Sequence, residues 1–201
     1  MTAYRDNYQR IAADHIAHWS TWGENPWQSP EHMEAVGAPT AALIEKYAGG
    51  GTVLDAGCGM GELLLRVPSI TRHGVDFATG YVAIACDRGI EAVEADLEDL
   101  PYPDGMFDVV AAVDVLEHVI DLNAVLREVL RVLRPEGVLV VRVPDREDLW
   151  TYLDPGYPYR FAHLRSFDEP SLRLLVDRVC DCDLLDFGIV NREAILAARK
   201  R

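Results

Sequence analysis

The chain has 201 residues, 49% of them hydrophobic, which is enough for one well-buried α/β domain and too few for two domains of ordinary size. Its 19 Lys and Arg stand against 33 Asp and Glu, and the resulting formal charge of -14 opposes binding to the phosphate backbone of a nucleic acid. The polar N-terminal stretch indicates neither a signal peptide nor a membrane span, and four cysteines without a C-x-x-C pair indicate reduced thiols in a cytoplasmic protein.

The first 50 residues are predicted to form an N-terminal helical lid or cap. They carry a dense set of aromatic and histidine side chains, namely Tyr4, Tyr8, Trp19, Trp22, Trp27, His15, His18 and His32. Such a segment can close over a ligand and exclude water. The alternative is a pair of helices whose aromatic side chains dock on a sheet. Residues 51–201 are predicted to form the core, and both parts to make one compact domain.

An apolar run that ends in an acid and then breaks into three glycines is the most informative pattern of the chain. It reads Val53-Leu54-Asp55-Ala56-Gly57-Cys58-Gly59-Met60-Gly61-Glu62 and predicts a strand, a tight turn and the start of a helix. A ligand can lie against a glycine backbone, where the helix aims free N–H groups at it. The dinucleotide fingerprint G-x-G-x-x-G fits imperfectly, because the third glycine comes one residue early. An NAD(P)-dependent oxidoreductase stays open as an alternative.

An acid follows at a regular distance from this turn. Asp76 comes 21 residues after Asp55, where dinucleotide-binding folds place an acid that binds ribose. An ionised carboxylate can accept hydrogen bonds from both ribose hydroxyls, and the neighbouring Phe77 can cover one face of an adenine ring. In the alternative interpretation, Asp76 caps a turn and Phe77 belongs to the core.

Apolar runs alternate with amphipathic stretches, which predicts parallel βαβ units with helices on both faces of a sheet. We expect strands near residues 52–56, 72–76, 91–95, 107–114, 137–143, 183–190 and 193–198, and helices near 121–133 and 170–180. Only a few residues around Asn191 separate the last two strands, which predicts an antiparallel hairpin. An acid ends each of four predicted strands, at Asp55, Asp76, Asp96 and Asp114. Since such sheets bind ligands beyond the carboxyl ends of their strands, we expect an acidic binding site there.

The string Asp55-Ala56-Gly57-Cys58-Gly59-Met60-Gly61 resembles the first motif of class I S-adenosylmethionine (SAM) methyltransferases, and residues 105–119 and 126–141 resemble later motifs in the same order. The resemblance covers roughly residues 53–144 and is nearest to the small-molecule methyltransferases of the ubiquinone-biosynthesis-like group. It implies a Rossmann-like, doubly wound α/β fold with a seven-stranded sheet, mostly parallel with an antiparallel last strand. It also implies SAM as cofactor, and a cationic sulfonium suits an acidic site.

The resemblance further implies which residues bind the cofactor. Asp96 would accept a hydrogen bond from the adenine amino group, and the backbone N–H of Leu97 would reach the ring. With the residues above, the expected cofactor site consists of Asp55, Gly57, Cys58, Gly59, Gly61, Asp76, Phe77, Asp96, Leu97 and Asp114.

The methyl acceptor is expected to be a small molecule, methylated on O, N or C, with no nucleic acid or membrane as partner and a monomer or homodimer as the active form. His118 and His163 are the candidate general bases; His118 alternatively belongs to a helix start. The aromatic residues after the strand near 137–143 favour a flat or apolar acceptor or a methylated ammonium group. They are Trp150, Tyr152, Tyr157, Tyr159 and Phe161.

Two further hypotheses remain open. Asp114, Glu117 and His118 resemble the E-x-x-E-H divalent-metal site of some quinone-forming O-methyltransferases, although an Asp in the first place shortens its reach. Our prediction of the site nevertheless contains no metal. The second hypothesis is that the chain binds SAM without turnover, as a sensor or partner subunit.

Overall fold

Helices and strands alternate along the chain in the computed structural model, which describes residues 2–201. In chain order they are α1 (Thr2–Trp22), α2 (Pro30–Ala48), β1 (Thr52–Ala56), α3 (Glu62–Arg66), β2 (Thr71–Asp76), α4 (Thr79–Asp87), β3 (Glu91–Glu94), β4 (Phe107–Val113), α5 (Leu122–Val132), β5 (Leu133–Pro144), a 3-10 helix (Leu149–Leu153), α6 (Glu169–Leu174), a π-helical turn (Leu175–Val179), β6 (Cys182–Val190) and β7 (Glu193–Lys200). The predicted strands lie within a few residues of these bounds, except that β5 begins at Leu133, directly after α5.

The seven strands form one sheet in the order β3-β2-β1-β4-β5-β7-β6. Strands β1 to β5 pair in parallel, whereas β7 runs antiparallel to both β5 and β6. The turn between β6 and β7 has left-handed backbone at Asn191 (φ 48) and Arg192 (φ 66), a geometry that suits the twist of a tight hairpin. The predicted fold class and the antiparallel last strand are therefore confirmed.

Alternate residues of the central strands pack against helices on opposite faces of the sheet. Leu54 and Val110 lie in the core cluster that includes α5 and α6, while their neighbours Val53 and Val109 lie in the cluster that includes α2, α3 and α4. Strands β1 and β4 are therefore buried on both faces, as is typical of the central strands of a parallel sheet. The strand order reverses between these two strands, which is where a ligand crevice opens in sheets of this kind.

Two further observations concern the chain as a whole. Within residues 2–201, no helix has both the length and the apolar character that crossing a bilayer requires. The cysteines Cys58, Cys86, Cys180 and Cys182 are free thiols.

Candidate functional site

The turn between β1 and α3 depends on its glycines. Gly57 (φ 89) and Gly61 (φ 84) adopt backbone angles that side chains rarely tolerate, and a Cβ on either would overlap the side chain of Val115 or Ile90, respectively. Gly59 (φ 51) differs from them, because nothing lies within 4 Å of the place where its Cβ would be. The turn is thus closely packed at Gly57 and Gly61 and has free space beside Gly59.

Two acids, the half-buried Asp76 and the buried Asp55, lie next to this turn. Asp76 at the end of β2 accepts hydrogen bonds from the backbone N–H groups of Gly59 (3.1 Å) and Ala78 (2.8 Å). Burial raises the pKa of Asp76 to about 6, although these hydrogen bonds oppose the shift. Asp55 is 3% exposed, and its Oδ1 has no partner in the part of the chain that the structure describes. Burial, and then the charge of Asp76, raise the pKa of Asp55 to about 7.

A cavity of about 1250 Å³ opens beyond the carboxyl ends of the central strands. The structure brings most of the predicted cofactor residues together in its wall, namely Asp55, Gly57, Cys58, Gly59, Asp76, Phe77, Leu97 and Asp114. Gly61 is not among the lining residues and instead packs behind the turn. Asp96 is not among them either, and its Oδ1 accepts a hydrogen bond from the backbone of Glu98 (3.1 Å). The adenine-binding role of Asp96 stays a prediction.

The rim of the cavity after β4 is held by a buried ion pair. The carboxylate of Asp114 accepts two hydrogen bonds from Arg142, from Nε at 3.0 Å and from Nη2 at 2.5 Å, and the Arg142 side chain is 5% exposed. Sequence reasoning missed Arg142. A single charged residue inside the apolar run of residues 138–143 was the available signal, because buried charges are almost always paired.

The two candidate bases lie against each other, with ring centroids of His118 and His163 4.4 Å apart. The Nδ1 atom of His118 lies 2.8 Å from the Tyr8 hydroxyl and 3.3 Å from the carbonyl oxygen of Ala162. Burial, and then the charge of His163, lower the pKa of His118 to about 4. His118 is therefore a neutral imidazole at pH 7.

His163 has a carboxylate partner that the sequence did not indicate. Its Nδ1 hydrogen-bonds Glu147, whose other oxygen accepts a hydrogen bond from the Tyr152 hydroxyl at 2.6 Å. Burial alone would raise the pKa of Glu147, but the hydrogen bonds from His163 and Tyr152 outweigh it and hold this pKa below its usual value. Glu147 lies in an irregular loop, where no spacing relates it to His163.

Glu117 lies beside both histidines. It is 1% exposed, and neither of its carboxylate oxygens has a hydrogen-bond partner among residues 2–201. Burial, and then the charge of Asp114, raise its pKa well above the ordinary value. Donor atoms of Glu117, His118 and His163 lie within 4.8 Å of one another. This group differs from the set Asp114, Glu117 and His118 that the sequence suggested, because His163 takes the place of Asp114.

Helix α1 covers the cavity with aromatic rings. The ring centroid of Phe77 lies 5.8 Å from that of Tyr4 and 5.5 Å from that of Tyr8. Asn7 attaches the helix to the loop after β5, because its amide donates to the carbonyl of Phe161 (2.7 Å) and accepts from the N–H of the same residue (3.1 Å). These contacts suit either predicted role of α1, as a lid or as a docked helix, and the lid stays a prediction.

Comparison with known proteins gives a consistent pattern. The family model described as a methyltransferase domain matches residues 54–141. The tRNA (carboxymethyluridine(34)-5-O)-methyltransferase of Arabidopsis thaliana is 33% identical over 127 residues, which cover 58% of this chain and 31% of the relative. The ubiquinone/menaquinone biosynthesis C-methyltransferase of Geobacter sulfurreducens is 36% identical over 109 residues, which cover 48% of this chain and 43% of the relative. The chain thus spans less than half the length of either relative.

A solved structure extends the similarity to nearly the whole chain. The 1,6-didemethyltoxoflavin-N1-methyltransferase of Burkholderia thailandensis, bound to 1,6-didemethyltoxoflavin and S-adenosylhomocysteine, superposes with a TM-score of 0.68 at 21% identity. The match covers 94% of this chain and 87% of that protein, and at this identity it concerns the fold alone.

Proposed function

We propose that the chain, whose residues 54–141 match the methyltransferase-domain model, is a class I SAM-dependent methyltransferase that transfers a methyl group from SAM to a small-molecule acceptor. The observation that carries the proposal is the hydrogen bond from Gly59 to Asp76, which joins the open glycine of the turn to the expected ribose-binding acid in the cavity wall. Nothing in the comparisons favours an oxidoreductase.

The residues present fit SAM. The open face of Gly59 leaves room for a ligand against the backbone, and the unpartnered oxygen of Asp55 offers a buried acceptor beneath it. Asp76 would bind the ribose hydroxyls, while Phe77 and Leu97 would contact the adenine. When bound, SAM supplies an electrophilic methyl group on a cationic sulfonium, whose charge suits the acids of this wall.

On the acceptor side, the chain has to orient a nucleophile and remove a proton. His163 suits the second task best, because its Nδ1 bonds the Glu147 carboxylate and its Nε2 is thereby left as the proton acceptor. Tyr152 holds the same carboxylate in place. His118, a neutral imidazole that contacts Tyr8, is the second candidate base.

A small molecule is the proposed acceptor, although one relative is named for tRNA methylation. The formal charge of -14 works against a polyanion, and the approach to the cavity is bordered by α1 and the loop after β5. Aromatic side chains of this wall, among them Tyr8, Tyr152 and Tyr157, favour a flat or apolar acceptor.

The proposal is tested first by the melting temperature with SAM, S-adenosylhomocysteine or NAD at about 100 times the dissociation constant, where a ligand contributes about 2.7 kcal/mol. We expect the first two to stabilise the chain and NAD to have no effect. Stabilisation by NAD alone would overturn the proposal.

Turnover is then measured as S-adenosylhomocysteine release with a panel of phenols, amines, quinols and bulk tRNA. Release with a small molecule and none with tRNA is the expected result. Release with tRNA alone would assign the acceptor to nucleic acid. SAM binding without release from any acceptor would leave the non-catalytic sensor or partner subunit as the function.

A further inference from the structure

We propose that Glu117, His118 and His163 form a binding site for one divalent first-row transition-metal ion in the wall of the cavity. Donor atoms of these three side chains lie within 4.8 Å of one another, and all three residues line the cavity. This inference concerns ion binding alone, so it stands whether or not the chain transfers methyl groups.

The carboxylate of Glu117 is buried without a hydrogen-bond partner among the described residues. Burying a carboxylate without a hydrogen-bond partner is costly, and such groups in folded proteins are paired, coordinate metals or take up a proton. Glu117 is 1% exposed, and within residues 2–201 both of its oxygens lack a hydrogen-bond partner. Its Oε1 lies 3.9 Å from Nε2 of His118. A cation between the carboxylate and the imidazole would satisfy both.

Each imidazole is already oriented through its other nitrogen. Nδ1 of His163 bonds the Glu147 carboxylate, and Nδ1 of His118 contacts the carbonyl oxygen of Ala162 and the Tyr8 hydroxyl. These partners place the ring proton on Nδ1 and leave the lone pair on Nε2. Metal-binding histidines almost always have such a carboxylate or carbonyl partner, which fixes the tautomer and raises ligand basicity.

The ligand types indicate the class of ion. Two imidazoles and one carboxylate suit Fe²⁺, Co²⁺, Ni²⁺ or Zn²⁺, whereas Mg²⁺ prefers oxygen ligands and retains its waters. Asp114 would have added a second carboxylate, but both of its oxygens accept hydrogen bonds from Arg142. With metal–ligand bonds of about 2.1 Å, tetrahedral ligand atoms lie about 3.4 Å apart, so donors that now lie within 4.8 Å of one another would move closer by up to about 1.4 Å on binding.

An ion and a base compete for the same atom of His163. An ion bound to Nε2 takes the lone pair that would otherwise accept a proton, and acidifies a coordinated hydroxyl in its place. Ion binding would thus change how an acceptor is deprotonated.

The test uses the full chain, treated with EDTA and desalted, and titrated with Co²⁺ in the absence of SAM. Calorimetry gives the stoichiometry, and visible absorption reports the coordination. We expect one Co²⁺ per chain, displaced by Zn²⁺ and not by an equal concentration of Mg²⁺. Less than one Co²⁺ per chain, displacement by Mg²⁺, or thiolate absorption in the near ultraviolet would each overturn the proposal.

Variants assign the site to its residues. Glu117→Gln, His118→Gln and His163→Gln are each expected to weaken Co²⁺ binding by at least about tenfold, and Glu147→Gln, which removes the charge of the orienting partner, by about 10-fold to 100-fold. His18→Gln and Glu94→Gln, outside the cavity wall, should bind as the parent does. The metal-free melting temperature checks that each variant folds, and Glu147→Gln serves if a ligand variant does not. Unchanged affinity in folded His163→Gln or folded Glu147→Gln would refute the site.

Discussion

The binding properties of the cavity depend on individual carboxylate and imidazole side chains. Among them, Asp76 contributes in two ways. It accepts hydrogen bonds from the glycine turn and lies in the cavity wall. Asp76→Asn keeps the shape of the side chain and removes its charge. We expect SAM binding to weaken by roughly 1 to 3 kcal/mol, measured by calorimetry, because hydrogen bonds to a charged acceptor are lost. Asp87→Asn on the exposed side of α4 is the control, and equal affinity in both variants would refute the ribose role.

Replacing His163 tests whether this residue acts in proton transfer or in cofactor binding. In the absence of added metal, His163→Gln is expected to lower kcat by about 100-fold or more, the usual contribution of a general base, while leaving the dissociation constant of SAM unchanged. Stopped assays of S-adenosylhomocysteine formation and calorimetry measure the two quantities separately. A fall in SAM affinity as large as the fall in kcat would mark His163 as structural, and His18→Gln controls for loss of an imidazole elsewhere.

Among single residues, the sequence predicted those that belong to a contiguous motif. It missed those that are hydrogen-bond partners of predicted site residues, such as Arg142 and Glu147. The glycine turn and Asp76 follow from spacing, because a strand, a turn and the next strand fix their relative positions. Glu147 contacts His163 through an irregular loop, and no periodicity places a loop residue.

At the scale of elements, the turn between β1 and α3 is the most constrained segment. Gly57→Ala introduces both a strained φ and an overlap with Val115, a β-branched side chain with little freedom to move. Gly89→Ala has a similar φ of 81 with nothing within 4 Å. We expect Gly57→Ala to lower the free energy of unfolding, measured with urea, by about 1 to 3 kcal/mol more than Gly89→Ala does, which is the usual range for overpacking. Equal costs would show that the overlap is relieved without strain.

The attachment of α1 depends on Asn7. Asn7→Ala removes two hydrogen bonds to Phe161, each worth about 1 kcal/mol, although alanine is the better helix former. We therefore expect amide hydrogen exchange in α1 to become at least about tenfold faster. Asp6→Ala on the exposed face gains the same helix propensity without losing these bonds, so it should exchange no faster than the parent. Unchanged exchange in Asn7→Ala would mean that the aromatic contacts alone hold the helix.

The strands were predictable because their apolar runs have the length of buried strands and are bounded by glycines and acids. The junction of α5 and β5 was less so. Pro135 and Gly137 suggested a break between helix and strand, yet β5 begins at Leu133 and pairs there with Phe107. Pairing with a neighbouring strand, which a local pattern does not contain, decided where the helix ends.

For the whole molecule, buried acids make stability depend on pH. The pKa of Asp55 is raised to about 7 by burial and then by Asp76, whereas an unfolded Asp titrates near 3.9. The folded chain therefore binds more protons than the unfolded chain between about pH 4 and 7, and the free energy of unfolding falls as the pH rises through that window.

Asp55 contributes up to about 4 kcal/mol to this loss. Asp55→Asn removes the titration, so urea unfolding at pH 5 and pH 8 should differ less in this variant than in the parent. Asp87→Asn should keep the parent's difference. Parallel profiles for the parent and Asp55→Asn would contradict the assignment.

The topology of the sheet was predictable from the order of strand and helix patterns, since parallel βαβ units and a terminal hairpin leave few arrangements. The specific contact that closes the cavity was not predictable. It joins α1 to the loop after β5 through residues 154 positions apart, and hydrophobic periodicity carries no information over that distance.

This distance has a consequence for how the protein is made. Helix α1 is synthesised early, but its partners Phe161 and Ala162 leave the ribosome only after most of the chain has been translated. Until then α1 lacks these two contacts, although Phe77, which the Tyr4 and Tyr8 rings also contact, has already been translated together with the glycine turn. A nascent chain stalled before residue 160 would therefore carry the cofactor motif with its first helix held only by contacts to earlier residues such as Phe77.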